Sequence, residues 1–382
     1  MNAKKAIISL TGEKSHSINI SPGQGSFSIG TMAMNAKKFD ILVDEKLPLN
    51  WKAFEQFSTP AGSPWPRFFY YYGNDCGFIE WSLARKIETF YWHPLKSLSV
   101  DCSNAQISSL SIKPGTNKIE ITLGEKIKTL VIDGDIENVH VISTKKTPSL
   151  TLYPITSKEE PTAHKLPTLK TLKNLTSLDI TVKPVGQPFD CRSLLQFKNL
   201  THLNLSGNLE NIDCLRKLGK LDSLGLRFVP NLENLPPLQE WKNLKSFIAW
   251  NVEAISGKRI RAELKKLVKE REFMKYSSVS QLRDSIWFTT EYGIPFCGWK
   301  GKNAKTAIKS YKATVKKLKK AKTQKEIKKI MSEYVDIFNR FENIETVERE
   351  DIAISIEQLI GVPSFQIDVA EAMQWFDEIR EF

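Results

Sequence analysis

The sequence predicts an α/β protein: a β-rich repeat solenoid in the middle of the chain, a β-rich cap domain before it and a helical bundle after it. Three observations predict this. The spacing apolar-x-x-Leu-x-apolar recurs every 21 to 25 residues from Leu175 to Ala249. An aromatic-rich segment without that repeat precedes it. After Gly257 the apolar period changes to three and four residues, which is helical.

In chain order, residues 1–85 hold short alternating stretches (Ala6 to Ser9, Ser17 to Ile20, Phe39 to Val43) and then eleven aromatic residues between Trp51 and Trp81. A solenoid needs its open ends covered, so a cap domain with this aromatic core is the plainer reading. A ligand pocket lined by aromatics is the sharper one.

Residues 86–262 are expected to form the solenoid, irregular over 86–153 and regular over 168–256. The regular units carry Leu175, Leu178 and Ile180, then Leu200, Leu203 and Leu205, then Leu221, Leu224 and Leu226, with a weaker copy at Leu244, Phe247 and Ala249. In each unit the last two positions lie two apart and share one face of a strand. A lone unit cannot bury that face, and stacking several can. The lead-in phrases LKNLTSL, FKNLTHL, LGKLDSL and WKNLKSF repeat as well. Upstream, looser copies start at Leu95, Ile107, Ile127 and Ile136, only 12, 20 and 9 residues apart. Such spacing leaves no room for helices, so this half should be strand-rich, with turns at Pro114-Gly115 and Asp133-Gly134. Irregular repeats and a short β-helical stack both fit. The segment from Pro154 to Pro167 is expected to loop out.

These units resemble the leucine-rich repeat family, whose repeats run about 20 to 29 residues. The best match is LTHLNLSGNLENI, where Asn208 stands at the place of the family's asparagine ladder; the next unit has Val229 there and Asn231 two residues later. The resemblance implies a concave strand face that binds another protein. Residues between the buried leucines would stack in columns about 4.8 Å apart. One column reads Ser177, His202, Ser223, Ser246; a second Asp179, Asn204, Gly225, Ile248; a third Thr181, Ser206, Arg227, Trp250. Trp and Arg are the types most often found at binding hot spots. Arg227 and Trp250 are therefore the expected protein contacts, with Asp179, His202 and Asn204 beside them. Alternatively, Trp250 packs beneath a terminal helix.

Residues 263–382 are expected to be a helical domain. Ile260, Leu264, Leu267 and Val268 mark a helix that closes the solenoid. Further helices are expected over 304–321, from the capping-box pair Thr323 and Glu326, over 346–359, and after Asp368. Charge reverses within this region. Residues 258–329 carry 22 Lys/Arg against 6 Asp/Glu, whereas 330–382 carry 3 against 13. The lysines could contact nucleic-acid phosphates, with Lys309, Lys312, Lys316, Lys319 and Lys320 as the residues concerned. The simpler expectation is that basic and acidic helices pair and cancel the field.

Several function classes find no support in the sequence. No run of eighteen apolar residues marks a membrane span, and Ala6 to Leu10 is too short for a signal peptide's apolar region. The five cysteines are scattered, odd in number and form no Cys-x-x-Cys, as expected of reduced thiols in a cytoplasmic, bacterial protein. The five histidines include no pair at metal-ligand spacing, and there is no P-loop or Gly-x-Ser-x-Gly elbow. No metal or cofactor is expected. Some bacterial members of the resembled family carry a helical ubiquitin-ligase domain with a Cys-x-Asp nucleophile, but no cysteine here has Asp two residues on. Cys297, in IPFCGWKG, is the one in a loop suggesting exposure. The expectation is a non-enzymatic protein that recognises another protein, as an adaptor or an immunity-type inhibitor. Nucleic-acid association through the lysine helix, or an unrecognised enzyme using the aromatic region, are the alternatives.

Overall fold

A computed structural model describes residues 4–143, 147–155, 162–183, 185–284, 287–288, 296, 299, 301–342, 344–363 and 367–382. An antiparallel pair, β1 (Lys4–Ile8) and β2 (His16–Ile20), comes first. Next come β3 (Ser26–Thr31), β4 (Ile41–Val43), β5 (Phe68–Tyr72) and β6 (Ile87–His93). The middle of the chain holds β7 (Leu98–Cys102), β8 (Ile107–Ile112), β9 (Ile119–Leu123), β10 (Thr129–Asp133), β11 (Val139–Ser143) and β12 (Ser149–Tyr153). Then follow β13 (Ser177–Thr181), β14 (Phe189–Asp190), β15 (His202–Ser206), β16 (Leu209–Glu210), β17 (Ser223–Val229), β18 (Ser246–Glu253) and β19 (Ser278–Arg283).

Twelve of these strands form one sheet in the order β4-β3-β5-β6-β8-β10-β12-β13-β15-β17-β18-β19. All its pairings are parallel. The cause is alternation. Each strand turns two large apolar residues inward: Phe69 and Tyr71 on β5, Leu110 and Ile112 on β8, Leu203 and Leu205 on β15. Pairing in register lines these residues into continuous buried rows. Between residues 87 and 153 the chain alternates between this sheet and a second parallel one, β7-β9-β11. The short spacings of the upstream units arise there, because successive strands belong to opposite layers.

The expected fold class, a leucine-rich-repeat solenoid preceded by a separate β-rich cap, is corrected by this arrangement. The protein is α/β, with a twelve-stranded parallel sheet and a C-terminal helical region. Strands β3, β4 and β5 lie within residues 1–85, yet they pair parallel into the same sheet as all that follows. A parallel sheet of this size is not a cap. One buried cluster runs from Ile8 to Val279 without a break at residue 85 or 262. Trp51, Phe54, Phe78 and Trp81 fill it where leucines would be too small, which is why a search keyed to leucine stops short of these strands.

Helix α1 (Gly77–Ala84) packs into the aromatic end of the cluster, and α2 (Ala254–Glu270) follows β18. The Glu253 carboxylate accepts from the Ile255 and Ser256 amides and so caps α2. A Cβ on Gly257 would stand 2.5 Å from the Leu282 side chain, so glycine here lets α2 lie close to β19 without displacing Leu282. Helices α3 (Gly301–Leu318), α4 (Gln324–Phe338), α5 (Thr346–Ile360) and α6 (Val369–Ile379) share a second buried cluster that includes Tyr311, Tyr334, Phe338 and Trp375.

Candidate functional site: the open face of the sheet

Residues that alternate with the buried rows stand on the other face of the sheet. Strand pairing aligns Ser177 with His202, Ser223 and Ser246; Asp179 with Asn204, Gly225 and Ile248; and Thr181 with Ser206, Arg227 and Trp250. Asn204 Nδ2 donates to Asp179 Oδ1 at 2.5 Å, tying β13 to β15. The amide oxygen of Asn204 lies over the next strand, where a Cβ on Gly225 would meet it at 2.0 Å. Gly225 therefore makes room for the Asn204 side chain. His202 Nδ1 is 2.8 Å from Thr201 Oγ1, and its Nε2 is 3.4 Å from Asp222 Oδ1.

Arg227 is exposed and has no ion pair among the described residues. Trp250, 38% exposed, meets the Phe228 ring edge-on at 5.1 Å. It does not sit under a terminal helix: β19 continues the sheet beyond it and sets Ser280 opposite Trp250. Phe228 was missed by alternation, which would send it inward between Leu226 and Val229. Its left-handed backbone, φ 55°, turns the strand so that Arg227 and Phe228 both stay off the buried row while Val229 goes in. Glycine is the usual sequence signal for that conformation, and none stands there.

Towards the other end the same face becomes aromatic. Tyr70 and Tyr91 stack at 4.3 Å with 1° between their planes, and Tyr72 lies 4.4 Å from His93. Tyr70, Tyr72 and His93 border a cleft of about 640 Å³ with Ser28, Lys38 and Phe39. Burial, with Lys113 nearby, pushes His93 down to about 4, so it is neutral at neutral pH. Asp133 is held between Lys113 at 3.8 Å and Lys183 at 2.8 Å, and Lys183 also lies over the Tyr153 ring. Most of the other aromatics of the 51–81 segment are core. Period-2 alternation through Phe68–Tyr72, with Phe69 and Tyr71 inward, was the signal that could have found the tyrosine stack.

Beneath the face, Asn208 Nδ2 donates to the Gly186 carbonyl at 3.4 Å. Asn231, displaced by two residues in sequence, bonds both the carbonyl and the amide of Leu209, at 2.9 and 3.5 Å.

The lysines Lys309, Lys312 and Lys316 project from α3, with Lys319 and Lys320 just beyond its end, and all five are exposed. The expected cancellation of charge between basic and acidic helices is slight. Among the described residues, Lys317 with Glu333 (2.7 Å) and Lys328 with Glu378 (3.4 Å) are the pairs linking the 300–329 lysines to the acidic segment. Helix–helix packing here uses the apolar stripes, which turns most of the charges outward. Burial pushes the thiols of Cys76 and Cys214 up to about 11 and Cys102 up to about 12, leaving them un-ionised at neutral pH. Cys297 lies outside the described residues. Among the described residues no cluster of three or more His, Cys, Asp or Glu side chains is placed to hold a metal ion, and no helix is long and apolar enough to cross a membrane.

No family model, no curated protein and no solved structure matches this chain.

Proposed function

We propose that this chain is a cytoplasmic binding protein rather than an enzyme, and that it recognises another protein through the open face of the sheet. Arg227 and Trp250 are the anchors, with Asp179, His202 and Asn204 beside them. One observation carries this reading. A guanidinium without an ion-pair partner among the described residues and a 38% exposed indole stand in register on adjacent strands, and these are the two side-chain types most often found at hot spots. The pre-set Asp179–Asn204 pair adds fixed polar groups that lose little freedom on binding. An adaptor, or an immunity-type protein that holds its partner inactive, is the role such a face suits.

Area bounds the partner. Four strands at about 4.8 Å and three rows at about 7 Å cover roughly 400 Å², while a stable interface takes about 800 Å² per partner. The partner must therefore reach along the sheet towards Tyr70 and Tyr91. The test is capture by the immobilised chain from native extract, compared with the double variant Arg227→Ala/Trp250→Ala. The expected outcome is one specific protein lost by the folded variant. Unchanged capture overturns the assignment.

A further inference from the structure

The lysines of α3, with Lys319 in the turn that directly follows it, fall in a pattern that the open-face reading does not use. Lys302, Lys305, Lys309, Lys312, Lys316 and Lys319 are spaced three, four, three, four and three residues apart. At 3.6 residues per turn that spacing makes one stripe about 100° wide and about 25 Å long. It runs along the side of α3 away from its buried residues Ala307, Tyr311, Val315 and Leu318. No acidic residue occurs in Gly301–Leu318, and none of the six lysines is in an ion pair among the described residues. Like charges at this spacing oppose helix formation. An external polyanion would remove that opposition.

The C-terminal part of the stripe meets the end of the sheet. Lys312, Lys316 and Lys319 border a cavity of about 450 Å³ together with Arg283, Asp284 and Trp287. The Arg283 guanidinium lies 4.6 Å from the Trp287 ring, and Trp287 in turn stacks on Phe228 at 6.2 Å and 15°. Arg283 is held from two sides: its Nε donates to Asn251 Oδ1 at 2.8 Å and its terminal nitrogen to Gln281 Oε1 at 3.2 Å. Among the described residues Asp284 is the one carboxylate bordering the cavity, and it accepts from the Trp287 backbone amide at 2.7 Å, so four cations face one anion there.

Three backbone outliers contact the Arg283 and Trp287 side chains that border this cavity. Phe228, Asn251 and Gln281 have φ of 55°, 53° and 54°. Each follows one of the register partners Arg227, Trp250 and Ser280, so they form a line across β17, β18 and β19. None is glycine, and left-handed non-glycine residues are uncommon and gather at functional sites. Phe228 supports the Trp287 ring; Asn251 and Gln281 fix the Arg283 plane.

We infer that the α3 stripe and the Arg283–Trp287 cavity form one site for single-stranded nucleic acid. Phosphates lie along the lysines, and a base enters the cavity beside Arg283 and Trp287. Lysines neutralise phosphates as point charges without reading sequence, and aromatic and guanidinium planes accept any base. A lone phosphate would leave most of the stripe unused. A duplex, with its bases already stacked, would leave the cavity unused.

The test is fluorescence anisotropy of the full chain with a labelled 20-mer of dT or U, from 50 to 200 mM salt. Binding is expected to weaken with salt, with log K against log salt sloping by about −0.7 per phosphate contacted. Lys312→Gln/Lys316→Gln/Lys319→Gln should lower affinity at least tenfold and flatten that slope by about 2. Trp287→Ala should weaken binding severalfold at unchanged slope, and Arg227→Ala should leave it unchanged, which keeps this site separable from the open-face reading. Circular dichroism verifies that each variant is folded. No binding at 50 mM salt overturns the proposal. So does equal affinity for a 20-base-pair duplex with no effect of Trp287→Ala, which marks a plain cationic surface. Salt-sensitive self-association in sedimentation without oligonucleotide binding also overturns it, because the stripe then serves the acidic helices of a second copy.

Discussion

Two stretches of one sheet solve the same packing problem with different side chains. From Leu178 to Leu226 the inward rows are aliphatic, and the strands recur at nearly constant intervals. From Phe27 to Trp92 the rows are mostly aromatic, and the intervals are irregular. The pairing is parallel in both. Leucine is compact and leaves each layer a similar hole, so a similar length of chain returns to the next strand. Aromatic rings pack by orientation: Trp51 meets Tyr71 edge-on at 5.2 Å, while Phe78 stacks on Phe90 at 4.0 Å. Such packing requires extra pieces of chain, α1 and the turn at Trp51–Phe54, to supply the partner rings. Regular spacing is therefore one way to build this sheet and not a condition for it.

The strongest way to break that comparison is to damage each stretch separately. Trp51→Ala should cost about 3–5 kcal/mol and Leu203→Ala about 2–5 kcal/mol. If the two stretches are one core, urea unfolding of either variant followed by Trp fluorescence and by far-ultraviolet circular dichroism will give coincident transitions. A split transition in Trp51→Ala alone would make the aromatic stretch a separate folding unit.

A smaller effect should appear on the open face of the aliphatic stretch. Gly225→Ala forces the Asn204 amide aside and should cost about 1–3 kcal/mol. Most of that loss should disappear in an Asn204→Ala background, and denaturant midpoints of the four proteins in the cycle measure the coupling. Additive losses would mean that Gly225 matters for another reason.

The smallest effect belongs to the aromatic stretch and depends on pH. His93 is pushed down to about 4 in the folded protein, below the ordinary value near 6.5. The unfolded chain thus takes up the proton first, and the contribution of neutral His93 is whole above about pH 6.5 and is lost as pH falls towards 4. Because the ring is only half-buried, solvent screening limits this to about 1 kcal/mol. His93→Gln should flatten stability measured between pH 7 and 4 relative to the parent; an unchanged slope would assign it to other groups.

How much of this was legible in the sequence follows from the same contrast. The aliphatic intervals place β13, β15, β17 and β18, and with them the register that groups Asp179 with Asn204 and Arg227 with Trp250. The helical stripes from Ile308 to Ile379 place α3 to α6, since their apolar spacing is local. Strands β3 to β5 were not legible as members of the sheet, because alternating aromatics predict strands but not their partners. The alternation of layers at β7, β9 and β11 was hidden for a related reason: spacing shows that a strand recurs, and only pairing shows where. Phe228 escaped because its conformation contradicts its residue type, and the Arg283–Trp287 cavity because its parts are separated in sequence.

The order of the strands also decides how the sheet ends. β3 lies inside the sheet, and the later β4 is its outermost member on that side. That border is only three residues long, Ile41–Val43, with Asp40 and Asp44 next to it. A stray extended chain finds almost no template there, and carboxylates discourage what little it finds. The next strand in from β3 is Phe68–Tyr72, five consecutive aromatic residues whose backbone groups would invite further strands if they formed the boundary. The short β4, flanked by carboxylates, thus works as a terminator at this border of the sheet.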